Sequence, residues 1–275
     1  IKKILLPILL LVSVISFGQV PNYAPSNGLV GWWGFNGNAN DESGNGNNGT
    51  VNGATLTTDR FGNANSAYYF TSSSCATRID ATINTSSISS GLTISVWILR
   101  VGDGCIGPRV LEFYNTSGNP GTMGIGWDNS GFGNIGSYTS TGTVVATSWT
   151  KPSDNIWTNL VYTNDGSFGR FYQDGVLFNT ISSTGNPILS GNAAFGRMNH
   201  PANDAFNGKI DDIGIWNRAL SPCEVQALYS GQITSPSSGT DVISACDSYQ
   251  WIDGNTYTQS TNTPTYTLQN LASCD

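Results

Sequence analysis

Apolar residues recur at every second position through much of the chain. In LTISVWIL, Leu92, Ile94, Val96 and Ile98 share one face of a strand, with Thr and Ser between them. The same texture predicts strands in GLVGWWGFNG (Gly28–Gly37), RVLEFYN (Arg109–Asn115), TMGIGWD (Thr122–Asp128), TVVAT (Thr143–Thr147) and WTNLVYTN (Trp157–Asn164). GRFYQ and VLFNTI flank Asp174-Gly175, which suits the two positive-φ positions of a type I′ hairpin turn. FNGKIDDIGIWN (Phe206–Asn217) reads as one more strand. Only SPCEVQALYSG reads as helix: Ser221 caps it, Pro222 opens it, Glu224 completes a capping box and Gly231 closes it. Short strands between Gly/Asn/Ser turns, with one late helix, predict an all-β, two-sheet antiparallel jelly-roll sandwich carrying one short C-terminal helix. Trp97, Trp157 and Trp216 lie in strands and are expected in its core.

Composition narrows the function. Charged residues make up 11% of the 275, against about 25% in an ordinary globular chain. Eight Trp, eleven Tyr and eleven Phe are enough to bury a core. The net charge is −7 and no basic stripe occurs, so no nucleic-acid partner is expected.

The opening IKKILLPILLLVSVISFGQ has a basic n-region at Lys2 and Lys3, an apolar run from Ile4 to Ile15 and a small-residue exit. It reads as a signal peptide over residues 1–18, and its apolar run is too short for a membrane span. Export to the cell surface or the medium is expected, with a domain over 19–232 and a Ser/Pro linker over 233–240. Residues 241–275 form a small partial β annex, too short to hold a core alone. The start without Met and the stop at SCD suggest that further domains follow. An oxidising compartment favours disulfides. The order of preference is Cys75 with Cys105 and Cys246 with Cys274, leaving Cys223 free.

NDESGNGNNGTV (Asn40–Val51) holds both a G-x-G-x-x-G and the D-x-S-x-N-G start of a calcium loop. The dinucleotide reading fails, because a β-prone stretch follows where a helix is needed. The EF-hand reading fails as well: Asn52 stands where a bidentate Glu is required. Asp41 among carbonyl-rich turns nevertheless suits a hard cation. Asp211 and Asp212, adjacent in an apolar strand, are expected on opposite faces, so one carboxylate needs Ca²⁺ or a counter-ion such as Arg218 or Lys209.

GLVGWWGFNGNANDESGNGNNGTV, WTNLVYTNDGSFGRFYQDGVLFNT and FNGKIDDIGIWNRALSPCEVQALY, in that order and spacing, resemble the laminin-G-like jelly rolls of the concanavalin-A-like superfamily. The resemblance covers about Gly28 to Gly231. It implies one structural calcium held by Asp41 and Asp211, with Asp212 a further candidate and carbonyls around Asn45–Asn48 completing the shell. The annex resembles a short repeat of bacterial cell-surface proteins, carried by Cys246, Trp251, Asp253-Gly254, Tyr257, Tyr266 and Cys274.

Catalysis is not expected. The only glutamates are Glu42, Glu112 and Glu224, and of these Glu112 alone lies on a strand, whereas glycoside hydrolysis uses two facing carboxylates. The only histidine, His200, lies in a loop without a nucleophile elbow. Binding remains. Trp127, Asp128, Asn129, Phe132 and Tyr138 combine aromatic faces with polar loop formers, the chemistry of sugar recognition, and Arg197 and Asn199, on another loop, are candidates to join the rim of the site. The expected function is non-catalytic recognition of a glycan or surface protein. The alternatives are targeting of a glycoside hydrolase encoded downstream, or a passive spacer.

Overall fold

A computed structural model describes residues 19–72, 76–88, 91–103, 105, 108–114, 123–127, 132–136, 149–182, 189, 191–197, 205–231, 242–245, 247–261 and 264. The strands are β1 (Leu29–Trp33), β2 (Gly49–Asn52), β3 (Thr55–Thr57), β4 (Ala67–Phe70), β5 (Arg78–Thr82), β6 (Leu92–Arg100), β7 (Arg109–Tyr114) and β8 (Met123–Trp127). Beyond them come β9 (Phe132–Gly136), β10 (Trp149–Thr150), β11 (Trp157–Asn164), β12 (Phe168–Gln173), β13 (Val176–Ser182), β14 (Asn192–Phe195), β15 (Gly208–Trp216) and helix α1 (Pro222–Ser230). In the annex, β16 (Tyr249–Gln250) pairs with β17 (Thr256–Tyr257).

Two antiparallel sheets stack as a sandwich. The first runs β13-β12-β11-β6-β15-β4-β3, with β1 also paired to β15; the second runs β10-β9-β8-β7-β14-β5-β2. Leu92, Ile94, Val96 and Ile98 point into the space between the sheets, as their alternation predicts, against Ile79, Leu111, Phe113, Ile125 and Phe195. Each fully buried side chain of this size contributes roughly 1.5–3 kcal/mol. Trp216 is buried and Trp97 nearly so, whereas Trp157, at the start of β11, is only half-buried.

The β12–β13 hairpin turns at Asp174 (φ 51°) and Gly175 (φ 75°), the two left-handed residues that its sequence requires. The Asp174 carboxylate accepts the Asn159 N–H at 2.9 Å, fixing the turn to β11. Helix α1 has its full capping box between Ser221 and Glu224, and Gly231 ends it in the left-handed conformation. Val225 and Leu228 seat the helix on the outward face of the first sheet beside Trp32, Trp216 and Tyr172.

β15 departs from simple alternation. It pairs with β4 through Gly208–Ile210 and with β1 through Ile213–Trp216, and its register against β6 slips between Asp211 and Gly214. One extra residue is accommodated there, with Asp212 at φ 42°. Ile210, Ile213 and Ile215 all reach the core. Asp211 and Asp212 therefore share the outward side rather than opposite faces: the bulge absorbs the half-step that alternation assumes.

Candidate functional site

Among the described residues, the outward face of the second sheet carries polar side chains on β2, β5 and β7. On β5, Ile79 and Ala81 enter the core and leave Arg78, Asp80 and Thr82 outside. The Arg78 Nε–H donates to Asp80 at 2.8 Å, and the Asn52 amide, from neighbouring β2, donates to the same carboxylate at 2.8 Å. Tyr114 at the end of β7 completes the group; its phenol is pushed above the ordinary tyrosine range by burial and by the nearby Asp80 charge. Ala194 on β14 lies opposite Asp80 on one side and Glu112 on the other. Asp80 and Glu112 thus stand two strand spacings apart, roughly 9–10 Å. Glu112 is closed off from solvent at 0% exposure, whereas Arg78, Asp80, Asn52 and Tyr114 are half-exposed. A planar phenol beside a fixed guanidinium, carboxylate and amide suits a polyhydroxylated ligand.

None of Asn52, Arg78, Asp80 and Tyr114 was expected in a site. The signal was present in TRIDAT, whose alternation separates Arg78, Asp80 and Thr82 from Ile79 and Ala81. Of the expected glycan contacts, Trp127 ends β8 and Phe132 begins β9, paired strands of this same sheet. Asp128, Asn129 and Tyr138 lie outside the described residues, as does Asn199. Arg197 follows β14 and bridges to Ala205. Elsewhere, a depression of about 440 Å³ lies between β12 and the start of α1. Its two arginines already have partners: Arg170 pairs with Asp165, and Arg218 with Glu224.

The carboxylates expected to bind calcium have partners within the chain. Asp41 accepts backbone N–H groups from Trp32 (3.0 Å), Ser43 (2.9 Å) and Asn47 (2.9 Å). The Asn47 carbonyl, one of the expected backbone ligands, accepts the Trp33 indole N–H at 3.0 Å. The Asn40–Asn48 turn is thereby pinned to β1 through the Trp32 N–H and the Trp33 indole N–H. Asp211 and Asp212 both meet Arg60, at 2.9 and 2.7 Å, and Arg60 lies 4.6 Å over the Trp97 ring, which stacks on Tyr229. The counter-ion is thus Arg60, brought in by the β3–β4 loop; Arg218 pairs with Glu224, and Lys209 donates to Thr58. Among the described residues, no three His, Cys, Asp or Glu side chains gather as a metal shell. With these donors committed, the residues do not fit the ion in this arrangement.

Beside this cluster, burial raises the Glu42 carboxyl to about 7, with the Asp212 and Asp41 charges adding to the effect against an Asn36 hydrogen bond. Cys105 and Cys223 each take part in a disulfide, so Cys223 is not left free. Cys75, Cys246 and Cys274, and with them the expected pairings, lie outside the described residues, as do residues 1–18 and 232–241. No helix among the described residues is long and apolar enough to cross a membrane.

Known structures share this architecture. The receptor-binding domain of botulinum neurotoxin C/D mosaic serotype superposes with a TM-score of 0.61 at 15% identity, over 76% of this chain and 52% of that one. The binding domain of Paraclostridial Mosquitocidal Protein 1 gives 0.60 at 22% identity, over 77% and 54%. The chain thus spans about half the length of these toxin domains. Domain 4 of AbnA, a GH43 extracellular arabinanase from Geobacillus stearothermophilus, solved with arabinotriose, gives 0.54 at 20% identity, over 73% of this chain and 98% of that domain. No curated protein sequence matches. A laminin-G family profile matches residues 74–226, more than half of the chain, and the chain belongs to that family, within the concanavalin A-like lectin/glucanase superfamily.

Proposed function

We infer that this domain is a non-catalytic carbohydrate-binding module whose ligand lies on the outward face of the second sheet. The observation that carries the reading is the Tyr114–Asp80–Arg78–Asn52 group, held half-exposed on the outward side of the sheet. The fold shared with an arabinanase domain solved with arabinotriose supports it. Trp127 and Phe132 belong to strands of the same sheet. A binding role fits the carboxylates better than hydrolysis does. Asp80 is tied to a guanidinium and an amide, and Glu112 is shut away from solvent, so neither offers an accessible acid or base for a glycosidic bond. Export through the 1–18 leader belongs to the same reading, since a glycan-binding module meets its ligands outside the cell.

A second reading, an accessory domain that targets a hydrolase encoded downstream, is favoured by the full-length overlap with the arabinanase domain. Both readings share the binding face. The test is titration of the purified protein against a panel of neutral and acidic glycans. Tyr114→Ala and Asp80→Ala are each expected to weaken the best ligand at least tenfold, about 1.4 kcal/mol. Full affinity in both variants would remove this face from the account.

A further inference from the structure

The chain carries two near-copies of one turn. Phe35-Asn36-Gly37-Asn38-Ala39-Asn40 follows β1, and Phe61-Gly62-Asn63-Ala64-Asn65 lies between β3 and β4. Gly37 (φ 84°) and Gly62 (φ 87°) take the same left-handed conformation. The Gly37 N–H donates to the Asn65 carbonyl at 2.8 Å, so the two turns lie side by side. Asn36, Asn38, Asn40, Asn63 and Asn65 are all exposed. The two phenylalanines diverge: Phe35 is fully buried, whereas Phe61 is 71% exposed.

Phe61 is nonetheless held in place. The Asp59 carboxylate accepts the backbone N–H groups of Phe61 and Asn63 at 2.8 Å each, and the Asn63 amide at 2.9 Å. Its neighbour Arg60 is fixed to Asp211 and Asp212, and the Arg60 guanidinium lies 4.4 Å from the Phe61 ring centre. An ordered loop thus presents a largely exposed phenyl ring, flanked by Arg60, beside exposed asparagines. Leaving such a ring in water forgoes roughly 1.5–3 kcal/mol of burial. A loop ordered beforehand also reduces the entropy lost when a ligand docks.

We propose that the paired turns form a second carbohydrate platform, separate from the outward face of the second sheet, which takes uncharged sugar rings. The C–H face of a sugar packs on Phe61, and its hydroxyls exchange hydrogen bonds with the amide donors and lone pairs that remain after Asn63 donates to Asp59 and Asn38 bonds within its own turn. The chain's net charge of −7 disfavours acidic sugars and anionic lipid at this edge. The platform rests on the carbohydrate-binding reading and extends it to a second contact on the same domain. A polysaccharide long enough to engage both sites gains avidity without any new contact chemistry.

The test is affinity electrophoresis of the full chain in linear arabinan, xylan and soluble β-glucan, comparing wild type with Phe61→Ala, Phe61→Tyr and Tyr114→Ala. Phe61→Ala is expected to raise the dissociation constant at least fivefold for the preferred polymer. Its melting curve should not change, because so exposed a side chain contributes little to folding. Phe61→Tyr, which keeps an aromatic face, should restore binding to within about twofold. If Phe61→Ala binds as wild type while Tyr114→Ala fails, the platform is wrong and the sheet site stands. If wild type binds none of the polymers, both are wrong. If Phe61→Ala loses binding only to phosphatidylcholine vesicles, Phe61 is a membrane contact and the platform is overturned.

Discussion

Arg60 is the most consequential single side chain on the outward face of the first sheet. Its side chain is 8% exposed, and the two carboxylates it serves are 3% and 12% exposed. Arg60→Ala leaves two buried carboxylates facing each other without their counter-charge, and breaking a buried pair from one side costs about 3–5 kcal/mol. In a domain of this size each kcal/mol moves the melting temperature by about 2–4 °C, so the variant should melt about 6–20 °C lower at neutral pH. Burial and the neighbouring Asp212 charge hold the Asp211 carboxyl well above its usual range. Asp212 is also raised, by burial acting against the pull of Arg60. A carboxyl raised in the folded state binds its proton more tightly there than in the unfolded chain. Its contribution to stability is therefore largest at low pH and is lost as pH rises through the folded value. Removing Arg60 raises both groups further, so the deficit should shrink as pH falls from about 7 toward about 5. Asp211→Asn with Asp212→Asn in the Arg60→Ala background should recover most of the loss, because neutral amides need no counter-charge. Scanning calorimetry reads all three arms. A neutral-pH melting temperature within about 2 °C of wild type, or a deficit that grows on acidification, would refute the reasoning. The same scans test calcium. Wild type should melt alike in millimolar Ca²⁺ and in chelator, and a rise of several degrees that disappears in Asp41→Ala would place a cation at the turn after all.

Two smaller perturbations follow from the same geometry. Glu42 titrates near 7 because of burial, so its ionised form opposes folding at neutral pH and its protonated form does not. Glu42→Gln should therefore stabilise the domain by about 1–2 kcal/mol above pH ~7, discounted for partial exposure, and the gain should vanish below pH ~5; a pH-independent difference in denaturant midpoints would contradict this. Ser221→Ala removes one half of the capping box of α1 and should cost about 0.5–2 kcal/mol in the same assay, while Ser221→Asp should be nearly silent.

Among the described residues, period-two alternation located β1, β6, β7, β8, β11, β12, β13 and β15 but missed the shorter β2–β5, β9, β10 and β14, and the expected strand over Thr143–Thr147 lies outside the described residues. Local turn and cap chemistry located the Asp174-Gly175 hairpin and the ends of α1. These features depend only on residues near one another in the chain. The bulge at Asp211–Asp212 does not. It is set by β15 exchanging one neighbour, β4, for another, β1, and the guanidinium that fills the exchange comes from a loop 151 residues away. Nothing local in GKIDDIGIW points to Arg60. The site on the second sheet was readable in part, since TRIDAT alternates cleanly. Its meaning arises only when β5, β14 and β7 lie side by side and place Asp80, Ala194 and Glu112 in one row.

The paired turns mark the limit of periodicity more sharply, because nearly the same residues serve opposite ends. Phe35 leaves β1 at the edge of the core and meets Tyr68 edge-on at 5.0 Å and Phe195 at 6.5 Å. Phe61 has no such opening. The space beneath its turn is taken by Arg60, which must stay between Trp97 and the two carboxylates. Burying Phe61 there would displace the only guanidinium that those carboxylates have among the described residues, at several times the gain from hiding one ring. The ion pair thus holds the first sheet's bulge and at the same time keeps Phe61 at the surface. This yields a consequence that links stability to recognition. Arg60→Ala, assayed well below its lowered melting temperature, should lose the polysaccharide contact of Phe61 even though Phe61 itself is intact, whereas Lys209→Ala, on β15 beside the two carboxylates, should not.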